Sequence, residues 1–211
     1  MSWKKQIKYA IMVAIALCIS FIIMGNTNVD AKGKASTKGK VVKVTVTEKT
    51  KNDMFYGIIK GVDKKGQTVW KYQTPSESAA ELSRVMHKTK GKYVYVVTAS
   101  TFFKLKKSNG KVVCNVQNEF LGGSSSLTVQ KNGTFYVSAY YDNTLVKFAS
   151  NGKVIWADYF NSTNYFWPYK VELKKKNLII WFDNANDYDY EKMPHKMVIS
   201  KKNGDILSGK Y

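Results

Sequence analysis

Cysteine, arginine and histidine are scarce in this chain of 211 residues, and each scarcity closes off a class of function. Of the 2 cysteines, Cys18 lies in the apolar N-terminal run described below. Cys114 is left without a partner for an internal disulfide. CxxC and CxxxC zinc spacings are absent. The 2 histidines, His87 and His195, are each isolated, so no Ser-His-Asp order can be assembled. GxSxG, GxGxxG and P-loop motifs are absent as well. Arginine occurs once, at Arg84, whereas base readout in nucleic acid leans on bidentate groups such as arginine. Sequence-specific nucleic-acid binding is therefore not expected.

Lysine is abundant. Lys+Arg number 34 against 15 Asp+Glu, for a net charge of +19. The lysines run through the whole chain and are not blocked together. Such a charge attracts polyanions through its long-range field. An anionic wall polymer or anionic membrane surface of a Gram-positive bacterium suits a secreted chain better than DNA. The plainer reading is a lysine-biased proteome and solubility. Hydrophobic residues at 44% and aromatics at 14% argue against disorder.

Export is read from the N-terminus. Lys4, Lys5 and Lys8 precede a continuous apolar run over 10–24, and Val29-Asp30-Ala31 offers small or apolar residues for cleavage. This is the pattern of a secretory signal, and the run is short for a membrane span. Residues 1–31 are expected to be the signal peptide; uncleaved, they would be an anchor. Residues 32–40 read as a flexible basic lead-in, and 41–211 as one repeat domain.

Beyond the lead-in, short β-branched and aromatic runs alternate with turn signals: VVKVTV at 41–46, YVYVV at 93–97, TFYVSAYY at 134–141, LIIWF at 178–182. Only 77–86 has helical composition, and a strand edge or one helical turn remain open there. Two turn series recur. Gly66, Gly110, Gly152 and Gly204 each follow a polar DKKG-like turn, about 44, 42 and 52 residues apart, a spacing that marks internal repeats. Lys38-Gly39, Lys90-Gly91, Asn132-Gly133 and Lys176-Asn177 keep step with them. The longest interval is explained by a longer middle loop at 183–195. The implied unit is a four-stranded antiparallel meander, repeated over roughly 32–75, 76–118, 119–161 and 162–211, with the first unit weakest. The fold class is all-β: a β-propeller-like array of about four blades, as a small closed ring, an open arc or half a ring completed by a homodimer. A β-sandwich with accidental periodicity is the rival.

The stretch Val62-Asp63-Lys64-Lys65-Gly66-Gln67-Thr68-Val69-Trp70 resembles the repeat of PQQ-type (quinoprotein-dehydrogenase-like) propellers, and 145–156 is similar to it with Phe148 in place of Asp. The resemblance implies that Trp70 and Trp156 pack between neighbouring blades, and that Cys114 and Ser208, at the matching positions, leave looser joints. It does not carry the quinone over. The vicinal cysteine pair is missing and no aspartate matches the catalytic one, so no cofactor is expected.

Two tracts depart from the repeat. Tyr159, Phe160, Tyr165, Phe166, Trp167 and Tyr169 lie between the third and fourth units, where exposed rings could stack on sugars or anchor a protein. The acidic tract Asp183–Glu191 could offer oxygen ligands to Ca²⁺, although EF-hand spacing fails, or could be a solvated loop. Trp167, Tyr165 and Tyr169, with Asp187 and Asp189, are the candidate ligand residues; core packing is the alternative for the aromatics. The leading function is a secreted, non-enzymatic binding module of the cell envelope, recognising a protein or an anionic surface glycopolymer. The alternatives are a carbohydrate-active enzyme on a propeller scaffold and a purely structural assembly unit.

Overall fold

The structure, a computed structural model, describes residues 39–78, 84–139, 144–160, 167–183 and 196–209. All fall in the compact unit Lys32–Tyr211. They form sixteen strands in four sheets. Sheet 1 holds β1 (Lys43–Lys51), β2 (Met54–Val62), β3 (Thr68–Gln73) and β4 (Glu77–Ser78). Sheet 2 is β5 (Met86–Lys90), β6 (Tyr93–Val97), β7 (Thr101–Lys106) and β8 (Val112–Gln117). Sheet 3 is β9 (Ser124–Val129), β10 (Phe135–Ala139), β11 (Thr144–Phe148) and β12 (Val154–Tyr159). Sheet 4 is β13 (Trp167–Leu173), β14 (Asn177–Asp183), β15 (Lys196–Ser200) and β16 (Ile206–Ser208). Sheets 2 to 4 are simple antiparallel meanders. This is the propeller-like array of four blades that the turn spacing implies, and among the described residues its sheets do not close into a ring.

The first sheet differs. Its β1–β2 hairpin turns at Asn52 and Asp53, both with positive φ, a conformation that Asn and Asp tolerate. Strand β3 pairs only with the Ile58–Val62 end of β2, so β4 takes the remaining Met54–Phe55 edge. The helical composition over 77–86 resolves into this two-residue strand and the start of β5, with 79–83 outside the described residues. Residues 32–38, at the start of the first expected unit, also lie outside them.

Alternation by two decides which blade each side chain meets. Val94 and Val96 join Trp70, Tyr72 and Ile59 in the core between sheets 1 and 2. Tyr95 and Val97, on the same strand, join Phe102, Phe135 and Phe148 between sheets 2 and 3. Tyr136 and Leu145 then meet Leu178, Ile180, Met197 and Ile199 between sheets 3 and 4. Inner strands are thus buried on both faces, which is why YVYVV reads as a continuous apolar run.

One irregularity repeats in every sheet. The pairing of the third with the fourth ladder position slips by one residue, at Gly61/Val62, Lys104/Leu105, Lys147/Phe148 and Val198/Ile199. In sheets 2 to 4 the skipped residues Val113, Ile155 and Leu207 are exposed apolar side chains, as expected of bulge positions. The register then brings Trp70, Cys114, Trp156 and Ser208 to equivalent places.

Trp70 shows what that place is for. Its indole Nε1 donates to the Lys107 carbonyl at 2.8 Å, in the next blade's turn. Its ring is held between Gly61 of its own sheet and Gly110 of the neighbour: a Cβ at either would come within 2.2 Å and 2.5 Å of the ring. Gly110 also has φ +69, so the turn needs glycine twice over. Trp156 repeats the contact on Gly204, with Nε1 3.3 Å from the Lys201 carbonyl, but is only half-buried. Cys114 donates its thiol to the Asn151 carbonyl at 3.0 Å. Gly66, in the first described sheet, meets nothing within 4 Å at its Cβ position.

Two outcomes follow. Trp70→Ala should cost about 3–5 kcal/mol, the range for a fully buried Trp, and Trp156→Ala distinctly less; urea melts of both variants measure this. His87, on β5, has its pKa lowered from 6.5 by burial and by Lys88, against a hydrogen bond to the Val44 backbone. With the folded value depressed, the unfolded chain takes the proton first. This contribution to stability is therefore whole above pH 6.5 and is lost as pH falls below it. Melting temperatures from about pH 7 down to about pH 5 should drop less steeply in His87→Gln than in the parent protein.

Candidate functional site

A meander of four strands has two unlike edges. The Gly66, Gly110, Gly152 and Gly204 turns and the turns at Gly91, Gly133 and Lys174–Lys176 leave one edge. The connections between blades, and the links from the second to the third ladder strand, leave the other. The turn edge is tight and internally satisfied. The Asp63 carboxylate accepts from Lys65 and Gln67 N–H, both at 2.9 Å. The Asn109, Asn132 and Asn151 side-chain oxygens each accept from the N–H two residues on. The loop edge carries the irregular chain.

The described ends of both candidate tracts lie at the loop edge. Trp167 pairs with Asp183 at the ends of β13 and β14, so the segments 161–166 and 184–195 leave adjacent strand ends. Tyr165, Asp187 and Asp189 lie outside the described residues, as does the Trp167 side chain, and so does the calcium reading of the acidic tract beyond Asp183. Among the described residues, no group of three or more His, Cys, Asp or Glu is placed to hold a metal ion.

The described aromatics divide. Phe160 is core: it is buried and meets Phe182 edge-on, centroids 5.4 Å apart. Tyr159 and Tyr169 are exposed, at 49% and 48%. Tyr169 stands where the β13–β14 register slips between Pro168 and Lys170, and a bulge turns a side chain away from its strand's regular alternation. Pro168, with no N–H, fits the outer edge of this sheet.

Two groups of polar residues that sequence reasoning missed support this edge. The run Ser124-Ser125-Ser126 sits on β9. Ser125 donates to the Pro168 carbonyl, Thr128 donates to the Val171 carbonyl at 2.9 Å, and Ser126 accepts from Val171 N–H at 3.2 Å. Hydroxyls of one blade thereby satisfy the open edge of the next and fix β13 below Tyr169. At the first joint, Glu77 Oε1 accepts from Thr98 and Ser100 at 2.8 Å and from Thr101 at 3.2 Å. A serine run before a strand, or one glutamate among many, carries no signal in sequence that separates such ties from loop polarity.

The charges divide between the edges as well. Every described turn on the turn edge carries exposed lysine, among them Lys64, Lys92, Lys111, Lys131, Lys153, Lys175 and Lys202. Among the described residues, the connections on the loop edge contain Asp53, Glu119 and Arg84 and no lysine.

No family model matches the chain. No curated protein matches it either. Solved structures do. A catalytically inactive virginiamycin B lyase from Staphylococcus aureus with quinupristin is 16% identical with a TM-score of 0.50, over 78% of this chain and 58% of that one. The WD40 β-propeller domain of Doa1 is 15% identical with a TM-score of 0.49, over 77% and 52%. A protein of unknown function from Bacteroides caccae is 13% identical with a TM-score of 0.48, over 75% and 57%. The chain spans about half the length of the solved structures it matches. At these identities the likeness is one of fold.

Glu77→Ala leaves three hydroxyls without their shared acceptor. It should cost about 2 kcal/mol, as for hydrogen bonds to a charged group, and raise amide exchange over 98–101 before the rest of sheet 2; exchange mass spectrometry reads both.

Proposed function

We propose that the protein is an exported, non-enzymatic binding module of the bacterial cell envelope, built on blades of the PQQ-type repeat. Its recognition edge is the one from which the blade connections emerge, and its partner is an envelope protein or surface glycopolymer. The observation that carries this reading is the pairing of Trp167 with Asp183. It brings together the strand ends from which the two tracts that depart from the repeat continue, near the exposed Tyr169. Irregular segments mounted on a regular scaffold are where binding groups are commonly found. Rigid aromatic rings lose little entropy when they engage a ligand. The N-terminal basic and apolar segments support export. The scarcity of histidine and cysteine supports binding over catalysis.

The test uses purified cell-wall sacculi and the mature protein. Trp167→Ala and Tyr169→Ser should each lower the fraction that cosediments, with melting temperatures unchanged. Retained binding in both, or a large drop in melting temperature for Trp167→Ala with binding kept at low temperature, overturns the assignment of the edge. Release of reducing ends from the sacculi would favour a carbohydrate-active enzyme instead.

A further inference from the structure

We propose that the tight-turn edge, opposite the recognition edge, is a docking surface for a linear polyanion of the polyphosphate or phosphodiester type. It depends on the export reading only for where such a polymer would be met.

The argument starts from a contrast within one chain. A proteome-wide preference for lysine would load both edges. Here every turn on this edge carries lysine, while the described connections on the opposite edge have none and lysine there sits at strand ends such as Lys51 and Lys196. The sequence shows lysines spread evenly because each turn contributes one to three. The meander topology then sends both turn series out of the same edge, blade after blade. Neighbouring sheets stack about 10 Å apart, so the turns form a continuous track of positive charge and not one cluster. The acids on this edge, Asp63, Glu172 and Asp205, are outnumbered by its lysines; Asp63 accepts from its own turn's N–H groups, and Glu172 pairs with Lys170 and Lys174 at 2.6 and 3.5 Å.

The chemistry of the edge selects the ligand class. The turn N–H groups at Lys65, Lys111, Thr134 and Lys153 already have side-chain acceptors and are not free to hold a discrete anion. Lysine presents a compact point charge and cannot fork onto one oxyanion pair as arginine does. An edge of this kind gains little from a single phosphate and much from many linked ones, through release of their counterions. The exposed aliphatic side chains beside the turns, Val113, Ile155 and Leu207, stand singly on separate blades, and the turns themselves hold no aromatic ring to enter a bilayer, which favours a soluble polymer over a membrane surface.

The experiment is equilibrium binding of purified mature protein to long-chain inorganic polyphosphate, with phosphatidylglycerol vesicles and neutral dextran as comparisons. Polyphosphate should bind and dextran should not, and affinity should fall by about 10³-fold between about 50 and about 200 mM salt, as for several phosphates neutralised together. The double variant Lys111→Glu/Lys153→Glu should weaken binding about tenfold or more, since each lysine carries part of that salt-sensitive term. The matched variant Lys49→Glu/Lys51→Glu, with the same charge change at the far end of β1, should change it far less. Trp167→Ala should bind polyphosphate as the parent does, so failure of the recognition edge and failure of this one are told apart. Equal losses in the two double variants would reduce the effect to net charge and overturn the proposal. Absence of polyphosphate binding, or tighter binding to the vesicles than to the polymer, would overturn it too.

Discussion

The contact on which the rest depends is one side chain laid across the next blade's turn. Each sheet packs on its neighbour through apolar rows, and such rows alone would tolerate sliding. The Trp70 indole removes that freedom, because it is sandwiched between two glycines and donates to one particular carbonyl. Turn length is matched to the residue that docks. Gly110 and Gly204 donate to carbonyls four residues back, and these longer turns present Lys107 and Lys201 oxygens to Trp70 and Trp156. Gly152 donates three residues back, to Ala149, and this shorter turn meets Cys114. Trp joints and the small-residue joint therefore differ by design of the turn, not only by the ring that is missing. Lys104 and Lys147 add a second tie at the later joints, donating to the Ser150 and Lys201 carbonyls.

Much of this was legible in the sequence because glycine in a left-handed turn has few substitutes. Gly66, Gly110, Gly152 and Gly204 all have positive φ, as a polar turn ending in glycine implies. Two such series in step fixed the repeat before any strand was assigned. What stayed hidden was set by neighbours distant in sequence. The bulge that recurs beside each turn follows from pairing geometry and leaves only an exposed Val or Ile as its mark. The split of sheet 1 between β3 and β4 depends on β2 being longer than the strand beside it.

The same division holds for the site. The departures from the repeat at 159–169 and 183–191 were visible as breaks in a pattern, and strand pairing places their ends together at Trp167 and Asp183. Individual aromatics within the tract were not separable, since Phe160 in the core and Tyr159 at the surface are adjacent in sequence. The lysines were the converse case. Their even spread along the chain hides the asymmetry, because a meander converts a period in sequence into one side in space.

That conversion also shapes the two end sheets. In the register of each blade, one row faces the preceding blade. It is Val94, Leu105 and Val112 in sheet 2, Phe135, Phe148 and Val154 in sheet 3, and Leu178, Ile199 and Ile206 in sheet 4. Sheet 1 places Lys43, Val62 and Thr68 in that row. At the far end, Lys196 occupies the position of Ile59, Phe102 and Leu145, and it lies with Lys170 over the Trp181 ring, each 5.6 Å from the centroid. In the first and last described sheets, lysine thus stands at one position of a row that is apolar in the other sheets, and its stem can cover a ring while its charge stays in water. The lysines of this chain have unlike physical settings. Lys104 and Lys147 tie one blade to the next, Lys43 and Lys196 stand in rows that are apolar in other sheets, and the lysines of the turn edge add to one another.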